Sequence, residues 1–242
     1  MIPVISIIKL VATLIAFFVT YLGYKKWKET QLLSFNYFWK VNLFHGLECA
    51  AFLSFGFIGL VLGNLYTIQV MWNLAALSGG LLVAFLIPLL LAFLGAEEKY
   101  QKLSQRVLLV LALGSFLVPW FFFDKAKVVT YPITGELTGI TWLTSVPLFL
   151  LVFAALFCIT FMIIPSFVLL IRSFRVDDVV QKNKGILLSL GVFWIGISGL
   201  WFWFVIPIVK TSFMNDVLGG LFCCFGQILF ALGMLVEDKR IL

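Results

Sequence analysis

Apolar blocks about as long as a bilayer is thick dominate this sequence. Seven can be placed, over 3–23, 41–63, 71–95, 107–123, 145–171, 186–208 and 216–236. A helix rises about 1.5 Å per residue and the hydrocarbon core is about 30 Å thick, so roughly 20 apolar residues cross it. The fourth block, "VLLVLALGSFLVPWFFF", is the short one, with 17 residues before Asp124. None alternates apolar with polar residues, so a membrane β-barrel fits poorly. Across the 242 residues, 63% are apolar and 12% charged, too little charge for a surface that faces water. The expected fold is an all-α polytopic membrane protein, one seven-transmembrane helix bundle spanning 1–242 and lying multi-pass in the cell membrane.

The basic residues orient it. Lys25, Lys26, Lys28, Lys40, Lys99, Lys102, Arg106, Arg172, Arg175, Lys182, Lys184, Lys239 and Arg240 fall on one side of this topology. Lys125, Lys127 and Lys210 fall on the other, a bias of 13 to 3. Cytoplasmic loops carry the excess of Lys and Arg, so the expected N-terminus is outside and the C-terminus cytoplasmic. The net charge of +6 therefore reads as topology, not as a nucleic-acid surface. The first block runs straight into "KKWK" without a small-residue cleavage site, which fits a retained span better than a signal peptide. Lys9, inside that block, is expected to snorkel to the outer face. Trp39, Trp120, Trp142 and Trp203 fall near block ends, where indole rings anchor at the headgroups.

"KVNLFHGLEC", residues 40–49, holds the chain's one histidine three places before a glutamate. Asn42, His45 and Cys49 share a helical stripe, and Glu48 lies within reach of His45. Carboxylate facing lipid is expensive, so both point into protein. Asn42, His45, Glu48 and Gln227 form the candidate polar or titratable intramembrane site, with Gln227 positioned on the last block to face Glu48. The alternative is polar packing, with hydrogen bonds to Asn73, Gln227 or helix backbone. Cys49, Cys158, Cys223 and Cys224 all lie within blocks and read as small buried apolar residues. Cys223 and Cys224 lack a CxxC spacing and have no histidine near in sequence, so no metal or redox role is expected for them.

Small residues recur at packing intervals, including Gly79 and Gly80 in the third block. The sixth has Gly191, Gly196 and Gly199, and the seventh has Gly219, Gly220, Gly226 and Gly233. They allow close helix approach where no hydrophobic effect drives association. The long fifth block carries Pro147 and Pro165 near its ends, and each proline removes a helix hydrogen bond, so a kink is expected.

Two loops offer partner surfaces. The external stretch 124–143 contains "KVVTY" and "LTGITW", β-branched and aromatic runs separated by Pro and Gly, which permit a hairpin cap. Its candidate contacts are Lys125, Lys127, Tyr131, Glu136 and Trp142. On the cytoplasmic side, Arg172, Arg175, Asp177 and Asp178 are the candidates.

No catalytic residue, cofactor or metal is expected. The chain has no HExxH, no GxSxG and no aspartate pair on neighbouring blocks. Residues 216–236 contain no lysine for a retinal Schiff base, and a single histidine cannot give bis-histidine haem ligation. Seven spans, an external N-terminus and "FVLLIRSFRVDDVVQKNKGILLSLG" at 167–191 resemble the seven-helix sensory region of bacterial and archaeal histidine kinases. That resemblance covers the whole chain, without kinase domains. It implies a non-enzymatic sensor or accessory subunit acting through a membrane or cytoplasmic protein partner, or a homo-oligomer, within the lipid bilayer. A channel or transporter subunit is the alternative, opposed by few mid-membrane polar groups and no evident inverted repeat.

Overall fold

The computed structural model describes the backbone of residues 4–62, 65–122, 127–134, 137–143, 148–205 and 213–235. Its side chains are described over 7–52, 70–114, 133, 148–149, 151–205 and 213–235. Four long helices open the fold: α1 (Val4–Thr30), α2 (Leu33–Leu62), α3 (Leu65–Phe93) and α4 (Glu98–Phe122). Two strands follow, β1 (Lys127–Thr134) and β2 (Leu137–Leu143). The chain ends in α5 (Leu148–Cys158), α6 (Ile164–Phe174), α7 (Val179–Leu200) and α8 (Phe213–Leu235).

The helices outrun the apolar blocks. α2 begins at Leu33 and α4 at Glu98, each well before the first residue of its block. Hydropathy marks where lipid can be met, whereas Lys, Gln, Glu and Arg prolong a helix at little cost. The α1–α2 connection is correspondingly tight. Gln31 takes a left-handed φ of 54°, and its N–H reaches back to the Trp27 carbonyl at 2.7 Å. Gly95, at φ 75°, ends α3 in a glycine cap, with the Ala96 N–H on the Leu91 carbonyl at 2.9 Å.

A single wide turn, Ile159–Ile163, joins α5 to α6, and the Ile164 N–H closes it on the Ile159 carbonyl. Pro165 follows immediately. Lacking an N–H, it cannot continue the regular ladder, so the irregularity sits in the turn before it. Pro147 lies outside the described residues. A second wide turn, Trp201–Val205, extends α7.

Neighbours pack in sequence from α1 to α4, α7 packs on both α6 and α8, and α8 returns to α1. The main core joins α2, α3, α6, α7 and α8 through Phe38, Leu86, Leu89, Leu169, Leu188 and Phe230. Elsewhere the surface is apolar: Leu14 and Phe18 of α1 and Val110 of α4 are each more than 60% exposed. A water-soluble bundle would bury such side chains. Five helical segments among the described residues are long and apolar enough to cross a membrane. They are Ile7–Thr30, Val70–Phe93, Leu151–Phe174, Val179–Val205 and Phe213–Leu235, as in a multi-pass membrane protein.

β1 and β2 pair antiparallel, from Lys127 opposite Leu143 to Thr134 opposite Leu137. The hairpin touches α8 through β1 and α1 through β2. Between α6 and α7 a cross-helix hydrogen bond runs from Ser189 Oγ to the Ser166 carbonyl at 2.6 Å, and both residues are buried. Ser189→Ala is expected to cost only about 0.6 kcal/mol, the mean for such bonds between membrane helices. Equilibrium unfolding in mixed micelles reads this; a loss of several kcal/mol would make the bond a structural keystone.

Candidate functional site

α2 is the helix around which the site is built. Phe38, Asn42, His45, Cys49 and Phe52 are all buried, at intervals of three and four that define one helical stripe. His45 and Cys49 present their polar atoms to Cys223 of α8. His45 Nε2 lies 3.1 Å from Cys223 Sγ, and Cys49 Sγ lies 3.9 Å from the same sulfur. All four cysteines are unbridged thiols. Imidazole and the two sulfurs fall within 4.8 Å of one another, three potential metal-ligating groups in one buried cluster.

Glu48 lies beside it. Its Oε2 is 4.0 Å from His45 Nδ1, and its Oε1 accepts a long 3.5 Å bond from Trp203 Nε1. Gly79 of α3 faces the carboxylate, and a Cβ there would stand 3.4 Å from Oε1. An alanine there would make ordinary van der Waals contact with the acid.

The third ionisable member is Lys9, and its position departs from the snorkelling expected of it. It is 4% exposed, with its ammonium 4.1 Å from the Phe202 ring centroid and 5.1 Å from that of Phe52. One helical turn on, Ala12 packs against Cys49 and Cys223. Residue 9 lies more than 30 Å of helix from the α1–α2 turn (about 1.5 Å per residue), which brings it level with Phe52 on the antiparallel α2. The aromatic faces hold the cation where water does not reach. Trp203 departs from expectation as well. Rather than anchoring at the headgroups, its ring packs on Trp72 at 4.9 Å and Phe52 at 5.9 Å, forming one wall of the site.

Among the expected site residues, His45 and Glu48 belong to this cluster. Asn42 lies one turn away, its Nδ2 donating to the Phe38 carbonyl at 2.9 Å. Gln227 is fully buried one turn along α8 from Cys223, yet neither its Oε1 nor its Nε2 has a hydrogen-bond partner among the described residues. Both amide atoms of Asn73 are in the same condition. The Glu48 partners are thus His45 and Trp203, with no hydrogen bond to Gln227 or Asn73. Lys9, Cys49, Cys223 and Trp203 were missed from sequence. A lysine inside an apolar block was the available signal for the first of them. The His45–Cys223 contact, spanning 178 positions, left none.

The other candidate surfaces lie at opposite ends of the bundle. Lys127, Tyr131 and Trp142 are on the hairpin, with Tyr131 opposite Gly139 and Trp142 opposite Val128. Lys125 and Glu136 lie outside the described residues, as do the side chains of Trp120 and Trp142. At the end holding the 31–32, 94–97 and 175–178 connections, Arg172 lies beside Gly95, joining the end of α6 to the α3–α4 turn. Arg175 and Asp177 are exposed. Asp178 has a structural task there, since its Oδ1 accepts from Val180 N at 2.8 Å and Gln181 N at 3.0 Å and caps α7. An aspartate just before a helical run is a readable N-cap signal. Nearby, its bond to Glu98 holds the Lys102 ammonium above the ordinary lysine range. Burial, reinforced by Glu98, pushes the Tyr37 phenol up.

The chain matches no family model and no curated protein.

Proposed function

We propose that this chain is a non-enzymatic seven-helix membrane sensor or accessory subunit, acting through an associated protein. The N-terminus lies outside and the C-terminus in the cytoplasm. The length of α2 and α4, 30 and 25 residues, and the apolar exposed face of α4 support counting both as spans. The positive bias of the loops supports the orientation. The observation that carries the reading is the set of buried Lys9 and His45 with largely covered Glu48, brought together from α1 and α2 and closed by Cys223 of α8. Ionisable groups in a membrane interior are costly and mark functional sites by default. Sites of this kind respond to a bound ion or proton by changing charge.

The output runs through the α6–α7 connection. The wide turn before Pro165 gives α6 a point of adjustment, Ser189 ties α7 to it, and Arg172 carries the movement to the α3–α4 turn. The likeness of 167–191 to the sensory regions of histidine kinases agrees with this route. Asn73 and Gln227, without hydrogen-bond partners among the described residues, favour a second reading, passage of an ion or small solute, because they add polar groups to the membrane interior.

Purification from the native membrane into nanodiscs, with mass analysis of co-migrating protein, separates the two. The expected result is a stoichiometric partner whose association changes in Glu48→Gln and in Arg172→Ala. A homo-oligomer without partner, producing ion or solute flux in liposomes, would replace the sensor by the transporter.

A further inference from the structure

We propose that His45, Cys49 and Cys223 form a binding site for a single thiophilic metal ion, Cu(I), held between α2 and α8. This deepens the sensor reading by naming the ligand its buried cluster would take. Three independent features meet here. The donors are two sulfurs and one imidazole nitrogen, a set that selects soft ions over Mg²⁺ or Ca²⁺. Their ligating atoms already converge within 4.8 Å from positions 45, 49 and 223. The site is buried, with His45 at 5% exposure and both cysteines at 0%, so no solvent competes for the metal.

The spacing suits a shared ion. Two metal–sulfur bonds of about 2.3 Å, opened to between 110° and 120°, put the sulfurs roughly 3.8–4.0 Å apart. The observed Cys49–Cys223 separation is 3.9 Å. The 3.1 Å between His45 Nε2 and Cys223 Sγ is a hydrogen-bond distance, and must open by about half an ångström to admit an ion bonded to both. Rotation of the two side chains achieves that.

Coordination number chooses the ion. Zn(II) takes four ligands in a closed site. The cluster supplies three, and the Glu48 carboxylate lies beside His45 Nδ1, whereas Nε2 is the ring nitrogen that faces Cys223. Three-coordinate, thiolate-rich binding is Cu(I) chemistry. Charge agrees. Binding releases both thiol protons to solvent, and one Cu(I) with two thiolates and a neutral imidazole leaves one net negative charge. The Lys9 ammonium, buried over Phe52 and Phe202 and one helical turn from Ala12, which packs against both cysteines, offsets it. Glu48 Oε2 stands 4.0 Å behind His45 Nδ1, and closing by about one ångström on binding would make it the carboxylate that backs a ligating histidine. Since two protons leave, uptake weakens as pH falls.

The test is an anaerobic titration of the full chain, reduced and in nanodiscs, with Cu(I) in competition with bicinchoninate. One ion per chain is expected. Cys49→Ser and Cys223→Ser should each weaken binding by more than about 100-fold, beyond the cost of losing an outer-shell partner. Cys158→Ser, which leaves the cluster intact, should bind as the wild type does. X-ray absorption of the wild-type complex should show two sulfurs and one nitrogen, a result that does not depend on any variant folding. Failure of the wild type to compete would overturn the proposal, as would binding indifferent to Cys49 and Cys223. Uptake of Zn(II) in four-coordinate form with none of Cu(I) would overturn it too. Signalling output is not measured here, so the metal site and the sensor reading fail separately.

Discussion

Gly226→Val is expected to destabilise the bundle by about 3 kcal/mol or more, at or above the upper end for overpacking a well-filled interior. A Cβ at position 226 would stand 2.7 Å from the Ile195 backbone nitrogen, 2.9 Å from Trp194 Cβ and 3.0 Å from the Gly191 carbonyl oxygen. These atoms are mostly main chain and cannot rotate away. The same seam continues in both directions. A Cβ on Gly191 would strike the backbone of Phe230, and one on Gly233 would stand 2.7 Å from Leu188 N. Without a hydrophobic effect between helices in lipid, close main-chain contact supplies much of the α7–α8 attraction, and separating the helices forfeits it along the whole seam. Gly114→Ala is the control, since a Cβ there meets nothing within 4 Å. It should be neutral or stabilising by up to about 1 kcal/mol, because alanine loses less backbone freedom than glycine in a helix. Unfolding free energies of both variants in mixed micelles test this. Equal stabilities would mean that α7 and α8 separate without cost.

Lys9→Met is expected to destabilise by about 3–5 kcal/mol, the usual consequence of removing one member of a buried charge set. Lys9 is 4% exposed and sits over Phe52, one helical turn along α2 from Glu48, so its removal takes a positive charge from beside the carboxylate. Neutralising Glu48 as well should return part of the loss. The Lys9→Met/Glu48→Gln double variant is therefore expected to be more stable than the sum of the single changes predicts, by about 1–3 kcal/mol of coupling. Methionine is one heavy atom shorter than lysine but keeps an unbranched apolar side chain beside Phe52 and Phe202, so most of the change is the loss of charge. Strict additivity across the cycle would show that the two groups do not sense each other, and would remove Lys9 from the site.

Much of the architecture was legible because it depends on sums over contiguous residues. Apolar length identified all five segments found long and apolar enough to cross a membrane. Helix ends were less legible. Leu33–Lys40 and Glu98–Arg106 continue their helices as polar or mixed turns, which a hydropathy reading places outside the blocks. Pro165 marked a disturbance, and the wide turn of Ile159–Ile163 sits directly before it. Gly191, Gly226 and Gly233 announced close packing. Only the structure showed that α7 and α8 are the pair that use it.

The candidate site divides along the same line. His45 and Glu48 sit three apart on one helix, so their proximity follows from the period of the helix alone. Lys9 was visible as a charge in an apolar block, yet whether it reaches the surface depends on what stands beside it. Phe52 and Phe202 hold it inside, and they come from α2 and the end of α7. Cys223 looked like a small apolar residue until α8 brought it against His45 and Cys49. Hydrophobic length and helical period are properties of neighbours along the chain, and the sequence determines them by itself. A buried cluster assembled from α1, α2 and α8 depends on which helix faces which, and interhelical packing decided that.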